Sequence, residues 1–286
     1  MQYLILPKSL QVTADAAIEY LHSQWGIAKR NIKAEVVIHS NFNYRPTLST
    51  ITNDHHSLCV EVSESAYSNS LDSFVQECVA KNFPAKLYVA MPKDVQDSFY
   101  SSKIKRAKEN GVGIIEVDGN GGVLIQDAIP LSLAKVRPID MRQFPAKFRE
   151  ALARAENTFR SASPDKGCAL LFDEMEDHFR KLAKKLNDKK LWNSKKKIPF
   201  DYTHGSWANL IELVQKNIDK NRAKCPELKP TFLSRLHGIT AYRNDTGHKP
   251  HDQASLIKRD RELRTRFESA SDTLLDLINY SKSLHI

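Results

Sequence analysis

Arg243-Asn244-Asp245-Thr246-Gly247-His248 sets a guanidinium and an imidazole five positions apart, with a carboxamide beside the first. The arginine stays protonated at any working pH, and its fixed fork of donors matches phosphate oxygens. The histidine titrates near neutrality, so it can take a proton or give one. RNA brings its own nucleophile, the 2′-hydroxyl. An imidazole that removes its proton, with a guanidinium steadying the charge at phosphorus, completes a cleavage without metal. The same string also has a purely local reading: Arg243 caps helix carbonyls while Asn244 and Gly247 make an ordinary turn.

A second group lies in the first half. Arg45-Pro46-Thr47 opens one expected strand, and Glu61-Val62-Ser63 closes the next. A lone Glu61 is a poor site for a hard divalent cation, which wants several oxygen ligands, unless Asp54 or Asp72 supplies a second carboxylate. His55-His56 reads as a solvated turn, and His204-Gly205-Ser206 as the cap of a helix starting at Trp207. His248 and His251 lack a carboxylate or thiolate at ligand spacing. Gly119-Asn120-Gly121-Gly122 joins strand to strand, so it reads as a hairpin turn; a phosphate cradle would feed a helix N-terminus. No metal and no cofactor are expected.

Two kinds of period must position these groups. In the first half short apolar runs alternate with helical stretches. A helix is expected over 13–26 and strands over 34–40, 46–52 and 57–63, the last two joined at Asn53-Asp54. A helix over 69–82, a strand over 86–91, a helix over 94–110 and strands over 112–118 and 123–126 follow. Helices on a mixed sheet are the expected result. After Pro130 the strand signals stop. Residues 132–145 suit a connector, leaving domains over 1–131 and 146–286. Beyond it, Cys168, Leu171, Phe172, Met175, Phe179, Leu182 and Leu186 recur at helical spacing. Trp207, Leu210, Ile211, Val214 and Ile218 make a second stripe. Phe232, Leu233, Leu236 and Ile239, behind Pro230, make a third, and Leu256, Leu263, Phe267, Leu274 and Leu277 a fourth. Burying four such stripes calls for a helical bundle.

Charge separates the halves more sharply. Residues 1–140 carry 14 Lys and Arg against 15 Asp and Glu, whereas residues 141–286 carry 29 against 19, so the whole surplus of the +9 chain lies in the second half. Such an asymmetry suits a helical half that meets a polyanion, or one that is merely kept soluble by it. Lys181, Lys184 and Lys185, with the loop lysines Lys195, Lys196 and Lys197, are candidates for tracking an RNA backbone, or equally form a plain solvated face. At 41% hydrophobic, the composition excludes disordered and low-complexity chains. No apolar run reaches membrane-spanning length, and the opening MQYLILPKSL is too short for a signal peptide. Four cysteines without a CxxC pair read as reduced thiols, which places the expected setting in the cytoplasm.

The Arg243, Asn244 and His248 spacing resembles that of HEPN domains, helical bundles marked by an arginine with a polar neighbour and, after four to six intervening residues, a histidine. The resemblance implies a metal-independent endoribonuclease in which two copies of the motif meet across a homodimer of the helical domain. Its implied product is a 2′,3′-cyclic phosphate. Pro250 stands where one subgroup carries a tyrosine modified by a partner enzyme, which counts against that mode of regulation. The first half resembles PD-(D/E)xK nucleases, the restriction-endonuclease-like fold. In active members the position of Thr47 is Asp and that of Ser63 is Lys, so the resemblance implies a degenerate site in which Glu61 alone survives. The expected fold is therefore a restriction-endonuclease-like α/β domain, inactive and kept to receive a regulatory protein or signal, followed by an all-α HEPN-like bundle acting on RNA. By analogy it resembles effectors of prokaryotic antiviral defence. A non-catalytic binding and dimerisation module, or a metal-dependent DNA nuclease in the first half, are the competing readings.

Overall fold

In a computed structural model the described residues are 6–93, 99–118, 120–134, 136–160, 163–188, 205–223, 225–245 and 250–284, with 187 and 240–245 described by backbone alone. The chain is mixed α/β and divides into two units. The first takes residues 1–136 with 160–162 and 249–262, and the second takes 137–159, 163–248 and 263–286.

The first unit holds a six-stranded sheet in chain order: β1 Lys33–Ala34, β2 Leu48–Ile51, β3 Ser57–Val62, β4 Ala85–Pro92, β5 Gly113–Asp118 and β6 Gly121–Gln126. β1, β2 and β3 pair antiparallel, β3, β4 and β5 parallel, and β6 returns antiparallel to β5. Helix α1 is Lys8–Trp25, α2 Asn69–Ala80 and α3 Tyr100–Glu109. Because β3, β4 and β5 are neighbours in chain order, crossovers of one hand bring α2 and α3 to the same face. There Leu71, Phe74, Val75 and Cys78 of α2 and Ala107 of α3 pack on Cys59, Leu87, Val89 and Ile114. The opposite face belongs to α1, whose Leu10, Ala14, Ala17 and Leu21 cover Leu58, Val60, Tyr88 and Ile115.

Two expectations change. The strand expected over 34–40 keeps only its start, because Glu35 turns into the left-handed region at φ 53 and donates its N–H to Thr47 O at 3.1 Å. β-branched residues favour a strand only when a partner and a covered face are available. Past Ala34 neither is, and Val36 and Val37 stay partly exposed. The helix expected over 13–26 begins earlier, at Lys8, and ends where Gly26 takes φ 65.

The second unit contains α4 Ala146–Arg160, α5 Pro164–Asp188, α6 Trp207–Lys220, α7 Pro230–Asp245 and most of α8, Gln253–Ser283. The first turns of α8, through Glu262, cluster with the first unit. Every residue of the α5 and α6 stripes is buried, as are Phe232, Leu236 and Ile239 of α7. Of the stripe on α8, Leu263, Phe267, Leu274 and Leu277 are buried in this unit. Helix α4, which the four expected stripes did not include, adds Phe148, Leu152, Ala155 and Phe159, the last packing on Phe267 with ring centroids 4.4 Å apart.

Candidate functional site

Helix α7 positions the start of the Arg–His string. Its first turn closes on Lys229 O, which accepts from Phe232 N at 3.0 Å and Leu233 N at 3.2 Å. Three buried apolar residues hold it in the second unit, and it is described as far as Asp245. Arg243 and Asn244 thus occupy the backbone of its last described turn, and the 3.6-residue period sets position 243 on the line of Phe232, Leu236 and Ile239. His248 lies outside the described residues, as do Lys195, Lys196 and Lys197.

The remaining candidate cations are on α5. Lys181, Lys184 and Lys185 are exposed, and Lys181 is paired with Asp177 one turn back. Arg180 is turned to structural use: half-buried, it donates to Glu176 Oε1 at 2.6 Å and to Gly205 O at 2.8 Å. Two residues back toward the helix start, His178 is sheltered against the Phe148 ring at 5.1 Å, with Ser281 Oγ 3.4 Å from its Nε2. Burial, with Lys147, Lys181 and Lys185 adding repulsion, pushes its pKa down to about 4, so at neutral pH it is uncharged.

In the first unit the sheet brings Thr47, Glu61 and Ser63 to one end of β3, on the α2 side. Glu61 Oε2 accepts from the Tyr44 hydroxyl at 2.7 Å and from Thr47 N–H at 3.3 Å, and Thr47 Oγ1 accepts from Val62 N–H at 3.1 Å. Tyr44 is itself fixed by stacking on Phe74 at 4.2 Å. Burial raises the Glu61 pKa, while these hydrogen bonds pull the other way. Ser63 Oγ accepts from Ser65 N–H at 3.1 Å and shapes the turn after the strand. The donor set therefore treats Glu61 as a carboxylate to be satisfied by protein. Neither alternative carboxylate joins it: Asp72 pairs with Arg106 at 2.6 Å and accepts from Tyr67 at 2.8 Å, and Asp54 is held by His56. Among the described residues no group of three His, Cys, Asp or Glu gathers as a metal site would require.

The turn holding His55 and His56 departs from expectation. His56 is buried, 6% exposed, with Nδ1 2.9 Å from Asp54 Oδ2, and its Nε2 meets no hydrogen-bond partner among the described residues. The His56 contact is the main reason the Asp54 carboxyl sits far below the usual carboxylate range. Gln253 of α8 donates to Ser57 Oγ at 3.2 Å, so a helix distant in sequence covers this corner. The four cysteines are each buried, and burial raises the thiols of Cys59, Cys78 and Cys168 away from reactivity. No described helix is long and apolar enough to cross a membrane.

Two clefts in the first unit escaped the sequence reading. Trp25, Lys86, Tyr88 and Asp127 line one, Arg30 and Lys33 the other. Their positions share no spacing that a motif could reveal. No family model, curated protein or solved structure matches the chain.

Proposed function

We propose that the chain is a metal-independent endoribonuclease whose chemistry is carried by Arg243, Asn244 and His248 in the helical unit. The supporting observation is the position of the string: Arg243 and Asn244 fall on the backbone of helix α7, Pro230–Asp245. The start of the string is thereby set on a rigid helix, with His248 four residues after Asn244 in sequence. In the reaction, one His248 takes the 2′-hydroxyl proton as O2′ attacks phosphorus. The P–O5′ bond breaks, and the protonated His248 of a second copy returns a proton to the leaving oxygen, leaving a 2′,3′-cyclic phosphate. Arg243 balances the charge that gathers on the phosphoryl oxygens, and Asn244 positions them. The surplus of basic residues after position 140, with exposed Lys184 and Lys185 on α5, suits an RNA backbone. The sheet unit serves as the regulatory half, since its surviving carboxylate is bonded to Tyr44 and Thr47 and not open to a cation. Such a plan suits an effector of antiviral defence that is held inactive until triggered.

Incubation with RNA in EDTA tests this. Cleavage by the wild type and none by His248→Ala, with the dimer retained, is the expected result. Uncut RNA with the wild type would leave the rival reading, a non-catalytic binding and dimerisation module. Cleavage of DNA that requires a divalent ion and is lost in Glu61→Ala would instead assign the chemistry to the sheet.

A further inference from the structure

Helix α1 stops at Trp25, and Gly26, at φ 65, turns the chain past the end of the sheet where β3 and β4 begin. This leaves a cleft of about 340 Å³, at the low end of the range for small-ligand sites. Leu58 and Tyr88 in its lining belong to the α1 side of the sheet. Glu61, two residues after Cys59 on β3, is on the opposite side. One wall of the cleft is aromatic and fixed: the Trp25 ring tilts against Tyr88 with centroids 4.9 Å apart and meets the edge of Tyr20 at 5.6 Å. Ile27 and Leu58 add apolar surface beside it.

The charge around this cleft is negative once its ion pair is set aside. Lys86 lines it, but its Nζ is paired with Asp54 Oδ2 at 3.7 Å. Asp127 lines it too, exposed, and meets no Lys, Arg or His among the described residues. Its Oδ1 accepts from the Tyr88 hydroxyl and, at 2.9 Å, from the Ala128 N–H, which fixes the carboxylate. Oδ2 accepts nothing among the described residues. Trp25 and Gly26 bring the carbonyl end of α1 to the same cleft, and with it the negative pole of an 18-residue helix. The Tyr20 hydroxyl feels this field: burial first, and then the Asp127 charge, raise its pKa.

We infer that this cleft binds a small guanidinium cation on a short apolar stem, its plane on Trp25, an N–H on Asp127 Oδ2 and its stem along Ile27 and Leu58. A carboxylate with no counter-ion beside a helix C-terminus favours a cation. Because an ionised carboxylate only accepts hydrogen bonds, that cation must carry an N–H, which sets quaternary ammonium ions aside. A primary ammonium has the donors, but it is a compact, strongly hydrated charge with no flat face for an indole. Guanidinium is planar and weakly hydrated, and it stacks on an aromatic ring while its edge keeps its donors. The inference is independent of the ribonuclease reading, because it uses no residue after Ala128.

NMR titration of the nitrogen-15-labelled full-length protein tests it, with four probes that share one stem: butylguanidinium, butylammonium, butyltrimethylammonium and the neutral butylurea. The readout is the indole N–H signal of Trp25, one of three tryptophans, identified by its loss in Trp25→Phe. Butylguanidinium is expected to shift that signal to saturation and to bind about fivefold or more tighter than each of the others. Asp127→Asn keeps an oxygen for Tyr88 and Ala128 and removes only the charge. That variant is expected to bind butylguanidinium no better than the wild type binds butylurea. No saturable shift with butylguanidinium, any other probe binding as tightly, or undiminished binding by Asp127→Asn would each overturn the inference.

Discussion

Glu61 carries its charge against its surroundings. Burial raises its pKa, so the folded chain holds that proton more readily than the unfolded chain does. Its favourable contribution is present below the unfolded value and is lost as pH rises through the folded one. Gln at this position keeps an oxygen for Tyr44 and Thr47 and removes the charge. Glu61→Gln is therefore expected to melt at or above the wild-type temperature at pH 8, and the difference should close toward pH 4. A lower midpoint at pH 8 would show that the carboxylate does work beyond accepting those bonds. His178 behaves in the opposite sense. With its folded pKa near 4, below the ordinary 6.5, the unfolded chain binds the extra proton first. Stability is complete above about pH 6.5 and falls as pH drops toward 4. His178→Gln should flatten the melting profile across that window.

At the level of elements, close approach and open space make opposite predictions for two glycines. A Cβ at Gly167, in the first turn of α5, would lie 2.5 Å from Phe159 N and 2.6 Å from its Cα, backbone atoms that cannot step aside. Gly167→Ala should cost about 2 kcal/mol or more and lower the denaturation midpoint. A Cβ at Gly238, within α7, would meet nothing within 4 Å among the described residues. Gly238→Ala should instead add up to about 1 kcal/mol through helix propensity alone. The long helices were legible in the sequence because their stripes repeat over several turns and burial follows the same period. The parallel strands were legible as apolar runs between helical stretches. What was not legible depended on distant residues. The strand expected over 34–40 ends at Ala34 for want of a neighbour, and His56 is buried at a corner that α8, nearly two hundred residues later, helps to cover. Thr47, Glu61 and Ser63 could be named from their strands, but the Tyr44 hydroxyl that occupies Glu61 could not, since it enters from the irregular segment before β2. The two clefts of the first unit were invisible for the same reason: their residues come from separate elements, among them the end of α1, a short turn, β4 and the segment after β6.

Across the whole molecule the basic surplus sits in the half that carries the Arg–His string, while the half with the sheet is nearly balanced. If α5 helps to hold RNA, Lys184→Glu/Lys185→Glu should weaken RNA binding similarly for unrelated sequences and flatten its dependence on salt, since fewer counterions are released. An unchanged salt slope would return those lysines to the role of a solvated face. The ribonuclease reading itself makes a sharper demand, because 2′-hydroxyl attack leaves chemically distinct ends. Mass spectrometry of RNA fragments made by the wild type in EDTA is the most direct test. A 2′,3′-cyclic phosphate on one fragment and a 5′-hydroxyl on the other, both absent with His248→Ala, is the predicted result. Fragments ending in 3′-hydroxyl and 5′-phosphate, or undiminished cutting by His248→Ala, would contradict it.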